Sequence, residues 1–155
     1  MWSTSCSRVV VAVPDVIEPA FRWHPPRADT LGATVVELMG LLGLPLDAEQ
    51  ELALDQLLGV DAQDRWAQRE AVVIEPRQNG KTDGILLPIA LFVAMSRPDQ
   101  LVTWSAHRYK TAREAFLALL RLYRRSALLR RRVLKVTYSN GEEAFEFRNG
   151  SRIVF

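Results

Sequence analysis

The feature that most limits what this chain can fold into is the order in which its hydrophobic periods change. Residues 31–42 carry Val35, Leu38, Met39 and Leu42 at helical spacing, and Gly43 is suited to end the helix. A second helical pattern starts at Asp47, where Asp47 and Gln50 stand at capping-box spacing ahead of Leu54, Leu57 and Leu58, with Gly59 placed to close it. After a polar loop at 61–69, Ala71, Val72, Val73 and Ile74 form a short uninterrupted apolar run, the pattern of a strand buried on both sides. The order then repeats: loop 75–79, helical pattern 80–95, a breaker at Arg97, Pro98 and Asp99, a strand at 101–104 and a helix from about Arg108. Such alternation predicts an α/β fold with a parallel sheet.

On the last helix Ala112, Ala115, Phe116, Leu119 and Tyr123 make one buried stripe while Arg113, Arg121 and Arg124 point elsewhere. From Val133 the period changes to two. Segments 133–138, 143–147 and 152–155 read as strands joined through Asn140-Gly141 and Asn149-Gly150, both strong hairpin signals. The first 30 residues, interrupted by Pro14, Pro19, Pro25 and Pro26, predict an N-terminal arm with little regular structure beyond 9–13. Residues 31–155 are then the folded unit.

At 155 residues, 48% of them hydrophobic, the chain can bury one core. The apolar stretch 85–95 contains Pro88 and is well short of the roughly 20 residues that span a bilayer. The run 9–13 is shorter than a secretory core and lacks a small-residue cleavage site, so a cytoplasmic protein without a membrane partner is expected. The single cysteine, Cys6, agrees with a reducing compartment. A net charge of +2 says little about partners, but its distribution says more. Nine basic residues fall between Arg108 and Arg132 against one acid, Glu114. Arg121, Arg124, Arg125, Arg130, Arg131 and Arg132 are candidate contacts to nucleic-acid phosphates, indifferent to base sequence. The plainer alternative is a solvated face whose arginine stems cover apolar surface.

The residues that carry chemistry are Glu75-Pro76-Arg77-Gln78-Asn79-Gly80-Lys81-Thr82. They contain the second half of a P-loop, in which backbone N–H groups turn toward phosphate, a lysine reaches the terminal phosphates and a hydroxyl holds magnesium. Gly80, Lys81 and Thr82 fill those positions. Glu75 stands where the first glycine of the motif belongs. The alternative is an ordinary helix amino terminus with a solvated lysine.

The string from Pro76 to Thr82 resembles the Walker A segment of large terminase subunits of tailed phages, particularly those of actinobacterial hosts. Further features of that family follow in order: Leu44-Pro45-Leu46-Asp47 with Gln50 upstream, Trp104-Ser105-Ala106-His107 with Thr111-Ala112 downstream, and Asn149-Gly150-Ser151-Arg152-Ile153 with Phe155. The resemblance covers about residues 40–155. It implies a three-layer P-loop NTPase sheet, truncated, with an N-terminal helical lead-in and C-terminal β-hairpins, in a motor that couples ATP hydrolysis to DNA packaging.

The resemblance also implies roles. Lys81 would bind the β/γ-phosphates of ATP and Thr82 the accompanying Mg2+, with Gln78, Asn79 and Gly80 completing the phosphate loop. Arg77 matches a sensor or cis-acting arginine finger; its alternative is an ordinary surface arginine near phosphate. Gln50 stands where the family reads adenine, although Ala48 and Glu49 replace the usual proline and aromatic residue, and the cap begun by Asp47 explains Gln50 equally well. Ser105 and His107 sit where α/β proteins bind ligands, with helix capping the plainer reading. Implied partners are double-stranded DNA, a small terminase subunit and a portal.

An apolar strand ending in paired acids and a nuclease domain are not found in the sequence; Glu142 and Glu143 follow a hairpin turn and precede a strand. ATP binding with little turnover is therefore expected of this chain alone. Two rivals remain. A helicase-like P-loop motor fragment is disfavoured by Arg77 and by the lack of a Gly-Ser-Gly or Gly-Thr-Gly loop. A degenerate, non-enzymatic nucleotide- or DNA-binding remnant belongs to a different class.

Overall fold

A computed structural model describes residues 19, 22–74, 80–139 and 141–155. Helix α1 (Gly32–Leu42) forms as its period predicts and ends at Gly43, whose φ of 81° favours glycine. The Gly43 N–H donates to the Gly40 carbonyl at 3.0 Å and the Leu44 N–H to that of Met39 at 2.9 Å, so the terminal carbonyls are satisfied by a Schellman turn. Helix α2 (Ala48–Leu57) opens on the reciprocal cap: the Asp47 carboxylate accepts from the Gln50 N–H at 2.8 Å, and Gln50 Oε1 accepts from the Asp47 N–H at 3.2 Å.

Gly59 does not close α2 as its position suggests. It opens strand β2 (Gly59–Val60), antiparallel to β1 (Asp29–Thr30). A Cβ at Gly59 would stand 2.8 Å from Arg27 Cδ, so close passage of the arginine is what requires glycine there. The expected arm is consequently tied down from Arg27 onward: Arg27 pairs with the Asp55 carboxylate at 2.7 Å, and the Thr30 hydroxyl donates to the Asp55 carbonyl at 2.9 Å. The run 9–13 and Cys6 lie outside the described residues.

Residues 71–74 are the main departure from the sequence reading. They form no strand, and Val72 and Ile74 are 82% and 92% exposed. A four-residue apolar run becomes a buried strand only if neighbours occupy its edges and cover both faces. No strand of the described residues flanks it; Val73 alone packs against the core. The larger sheet runs β3 (Leu101–Thr103), β6 (Arg152–Val154), β5 (Ala144–Phe147), β4 (Val133–Thr137). Only β3 and β6 are parallel, and the other two pairings are antiparallel, so the sheet is mixed where a parallel one was expected.

One continuous helix runs from Lys81 to Ser96, its first turn (Thr82–Leu86) π-helical and the remainder, α3 (Leu87–Ser96), α-helical. Pro88 has no N–H to donate to the Gly84 carbonyl, and the widened turn before it accommodates that missing bond. Helix α4 (Tyr109–Arg125) buries Ala112, Ala115, Phe116 and Leu119 of the predicted stripe, with Tyr123 half-buried against the core. Ser126 then breaks the chain direction and caps α5 (Ala127–Arg132), its hydroxyl accepting from the Leu129 N–H at 3.3 Å. Phe116 of α4 packs on Phe145, Tyr138 and Phe155 with ring centroids 5.4 to 5.9 Å apart. Burial of a side chain such as Phe145 or Ile153 contributes roughly 1.5–3 kcal/mol. The result is a mixed α/β arrangement of helices and two sheets, and no helix of the described residues is long and apolar enough to cross a membrane.

Candidate functional site

Of the predicted phosphate loop, Arg77, Gln78 and Asn79, with Glu75 and Pro76, lie outside the described residues. Gly80 adopts φ 73°, a left-handed conformation that favours glycine, and its carbonyl accepts from the Gly84 N–H at 2.7 Å to start the helix. Lys81 and Thr82 follow in the first turn, both half-buried.

Gln50 is brought to the same place. A Cβ at Gly84 would fall inside the van der Waals radii of Gln50 Cδ and Nε2 and 2.7 Å from Oε1, and one at Gly80 would stand 3.0 Å from Nε2. The Gln50 side chain therefore caps α2 while its amide lies across the glycine face that begins the next helix. Of the two roles read for it in the sequence, the cap is the one formed.

A cleft of about 250 Å3 opens beside Lys81. Its apolar walls are Leu57, Leu58, Val73, Leu86 and Ile89, and Gln68, Arg69 and Glu70 also line it. The exposed segment 71–74, unused as a strand, supplies one side through Ala71 and Val73.

Ser105 and His107 follow β3 and are exposed. The capping role is not borne out: Arg108 is the N-cap of α4, and no side chain caps that helix. What occupies this region instead is Glu143, 2% exposed. The Tyr109 hydroxyl donates to its Oε1, the Gly141 N–H donates to its Oε2 at 3.0 Å, and Arg113 Nε lies 3.8 Å from Oε1. Burial pushes the Glu143 pKa up, but the Tyr109 hydrogen bond, backbone N–H groups and Arg113 outweigh it and hold the carboxyl below its ordinary range. The same bond pushes the Tyr109 hydroxyl up. The sequence reading set Glu143 aside as an acid following a hairpin turn, although the period of two that turns Phe145 and Phe147 inward places Glu143 on their face. Its oxygens are engaged by this cluster, and no group of three or more His, Cys, Asp or Glu side chains among the described residues is placed to hold a metal ion.

Arg121, Arg124 and Arg125 on α4 and Arg130, Arg131 and Arg132 on α5 are all exposed. None pairs with a carboxylate among the described residues; Arg130 instead donates to the Arg124 carbonyl at 2.6 Å. Five of them stand in the last turns of their helices, where a cation complements the helix dipole.

Asn149 and Ser151, prominent in the sequence signature, join the end of α3 to the β5–β6 turn. Asn149 Nδ2 donates to the Ala94 and Arg97 carbonyls, both at 2.9 Å. The Ser151 hydroxyl donates to the Arg97 carbonyl at 2.9 Å and accepts from the Gln100 N–H at 3.0 Å. Gly150, at φ 87°, packs so closely on the Asp99 carboxylate that no Cβ fits. No family model, no curated protein and no solved structure matches the chain.

Proposed function

We propose that the chain is the ATP-binding front part of a phage-type large terminase, a motor that couples ATP hydrolysis to packaging of double-stranded DNA with a small terminase subunit and a portal. The observation that carries this reading is the convergence of Gly80, Lys81 and Thr82 with Gln50 at one helix start. The glycine has a conformation only glycine adopts freely, and the lysine turns along a cleft. Three-layer P-loop architecture and residence in the host cytoplasm belong to the same proposal.

The residues present fit a nucleotide with magnesium in part. Lys81 would hold the terminal phosphates and Thr82 the metal, which would neutralise charge on the transferred phosphoryl group. Arg77, Gln78 and Asn79 enter by their place in the motif. The sequence has no apolar strand ending in the paired acids that would order magnesium and activate water, so ATP binding with slow turnover is part of the same proposal. The exposed arginines of α4 and α5 supply a sequence-indifferent contact to DNA.

A second reading is favoured by one observation. Residues 71–74, which stand where the strand of a working P-loop belongs, are not part of the sheet. On that reading the chain is a nucleotide- or DNA-binding remnant without turnover. Titration with a fluorescent ATP analogue tests the common claim. Lys81→Ala should weaken binding at least tenfold while leaving the circular dichroism spectrum unchanged; equal affinity in parent and variant refutes nucleotide binding at this loop.

A further inference from the structure

We infer that the cleft beside Lys81 is a pocket for a heteroaromatic base carrying an exocyclic amine, and that Gln68, not Gln50, selects that base; this rests on the nucleotide-binding reading above. The cleft encloses about 250 Å3. That is below the roughly 300–1,000 Å3 of sites that swallow a drug-sized ligand, so it admits a flat ring system and leaves sugar and phosphates outside. Its apolar walls, Leu57, Leu58, Val73, Leu86 and Ile89, suit the faces of such a ring. Leu86 and Ile89 lie on the helix that Lys81 begins, five and eight residues further along. At about 1.5 Å per residue they stand about 8–12 Å from the lysine, a separation that a sugar and its phosphates bridge.

The polar reading comes from Gln68. Its Nε2 donates to the Leu57 carbonyl at 2.7 Å. A carbonyl only accepts, so the amide orientation is determined by its partner, and Gln68 offers an occupant Oε1 as acceptor beside the second N–H of Nε2. At the six-position of a purine an acceptor pairs with the amine of adenine and opposes the keto oxygen of guanine, which favours adenine-type bases presented by that edge. Arg69 and Glu70 also line the cleft but are exposed, whereas Gln68 is half-buried and held. Gln50 does not line it: its Oε1 serves the α2 cap and its Nε2 faces Gly80 and Gly84.

Calorimetric titration of the full chain with ATP, GTP and inorganic triphosphate tests this. The parent should prefer ATP over GTP by on the order of tenfold, the cost of leaving a half-buried polar group wrongly paired. Gln68→Ala should remove the preference. Val73→Trp, which fills the cleft, should weaken ATP at least tenfold while leaving triphosphate affinity unchanged. Retained preference in a folded Gln68→Ala, checked by thermal melting, overturns the assignment. Should Gln68→Ala not fold, unaltered ATP affinity in Val73→Trp overturns the pocket. Triphosphate binding with no preference between ATP and GTP overturns this inference alone, whereas no binding of any of the three by the parent overturns the nucleotide reading itself.

Discussion

Replacing Gly84 with alanine should reverse its effect on stability according to what stands at position 50. In the parent the three atoms nearest to a Cβ at Gly84 all belong to Gln50, the farthest of them at 2.7 Å. The glutamine must swing away, which breaks its hydrogen bond to the Asp47 N–H. That bond is worth about 0.5–1.5 kcal/mol, and overpacking a filled region costs about 1–3 kcal/mol. Against this, alanine is better than glycine in a helix by about 0.5–1 kcal/mol, and Gly84 has no positive φ to forbid it. The net expectation is a destabilisation of about 2 kcal/mol. For a chain of this size that is roughly 4–8 °C in Tm.

With Gln50→Ala already present the obstacle is gone, and Gly84→Ala should then stabilise by about 0.5–1 kcal/mol. Urea denaturation of the parent, both single variants and the double variant gives the coupling directly. A value near 2–3 kcal/mol is expected, well beyond the ~0.5 kcal/mol within which independent sites add. Equal destabilisation by Gly84→Ala in both backgrounds would refute the placement of Gln50 on the glycine face, and with it the convergence on which the phosphate-site reading stands.

Ser151→Ala leaves the Gln100 N–H without its side-chain acceptor and takes one of two donors from the Arg97 carbonyl, at a fully buried position, and should lower stability by about 1–3 kcal/mol in the same denaturation assay. Glu143 has a depressed pKa in the folded state, so its contribution is present above the ordinary carboxylate range and disappears as pH falls through the lower folded value. Glu143→Gln should accordingly be less stable than the parent at neutral pH, with the gap closing in acid; a gap independent of pH would show that the charge on Glu143 is not what the cluster stabilises. Neutralising Arg130, Arg131 and Arg132 together should flatten the dependence of duplex DNA affinity on salt, measured by fluorescence anisotropy, by about 0.9 in log–log slope for each phosphate that the variant no longer neutralises. An unchanged slope would assign these arginines to the helix termini alone.

What the residues determine by themselves are features made within a turn or two of chain. The Schellman end at Gly43, the reciprocal Asp47–Gln50 cap, the buried stripe of α4 and the β5–β6 hairpin with Gly150 at φ 87° each need only their own neighbours, and each was legible. Asn140 of the other predicted turn lies outside the described residues. Tertiary structure decided the rest, because the partners come from far along the chain. Residues 71–74 have the composition of a buried strand, yet hydrophobicity specifies only that a run will bury itself if edges and covers exist, and no strand of the described residues pairs with this one. Gln68 becomes a defined acceptor through a carbonyl 11 residues away, and Asn149 closes α3 across more than 50. Glu143 shows both parts at once: its period turned it inward and the Gly141 N–H meets it locally, but Tyr109 and Arg113, which also hold its carboxyl below the ordinary range, arrive on a separate helix.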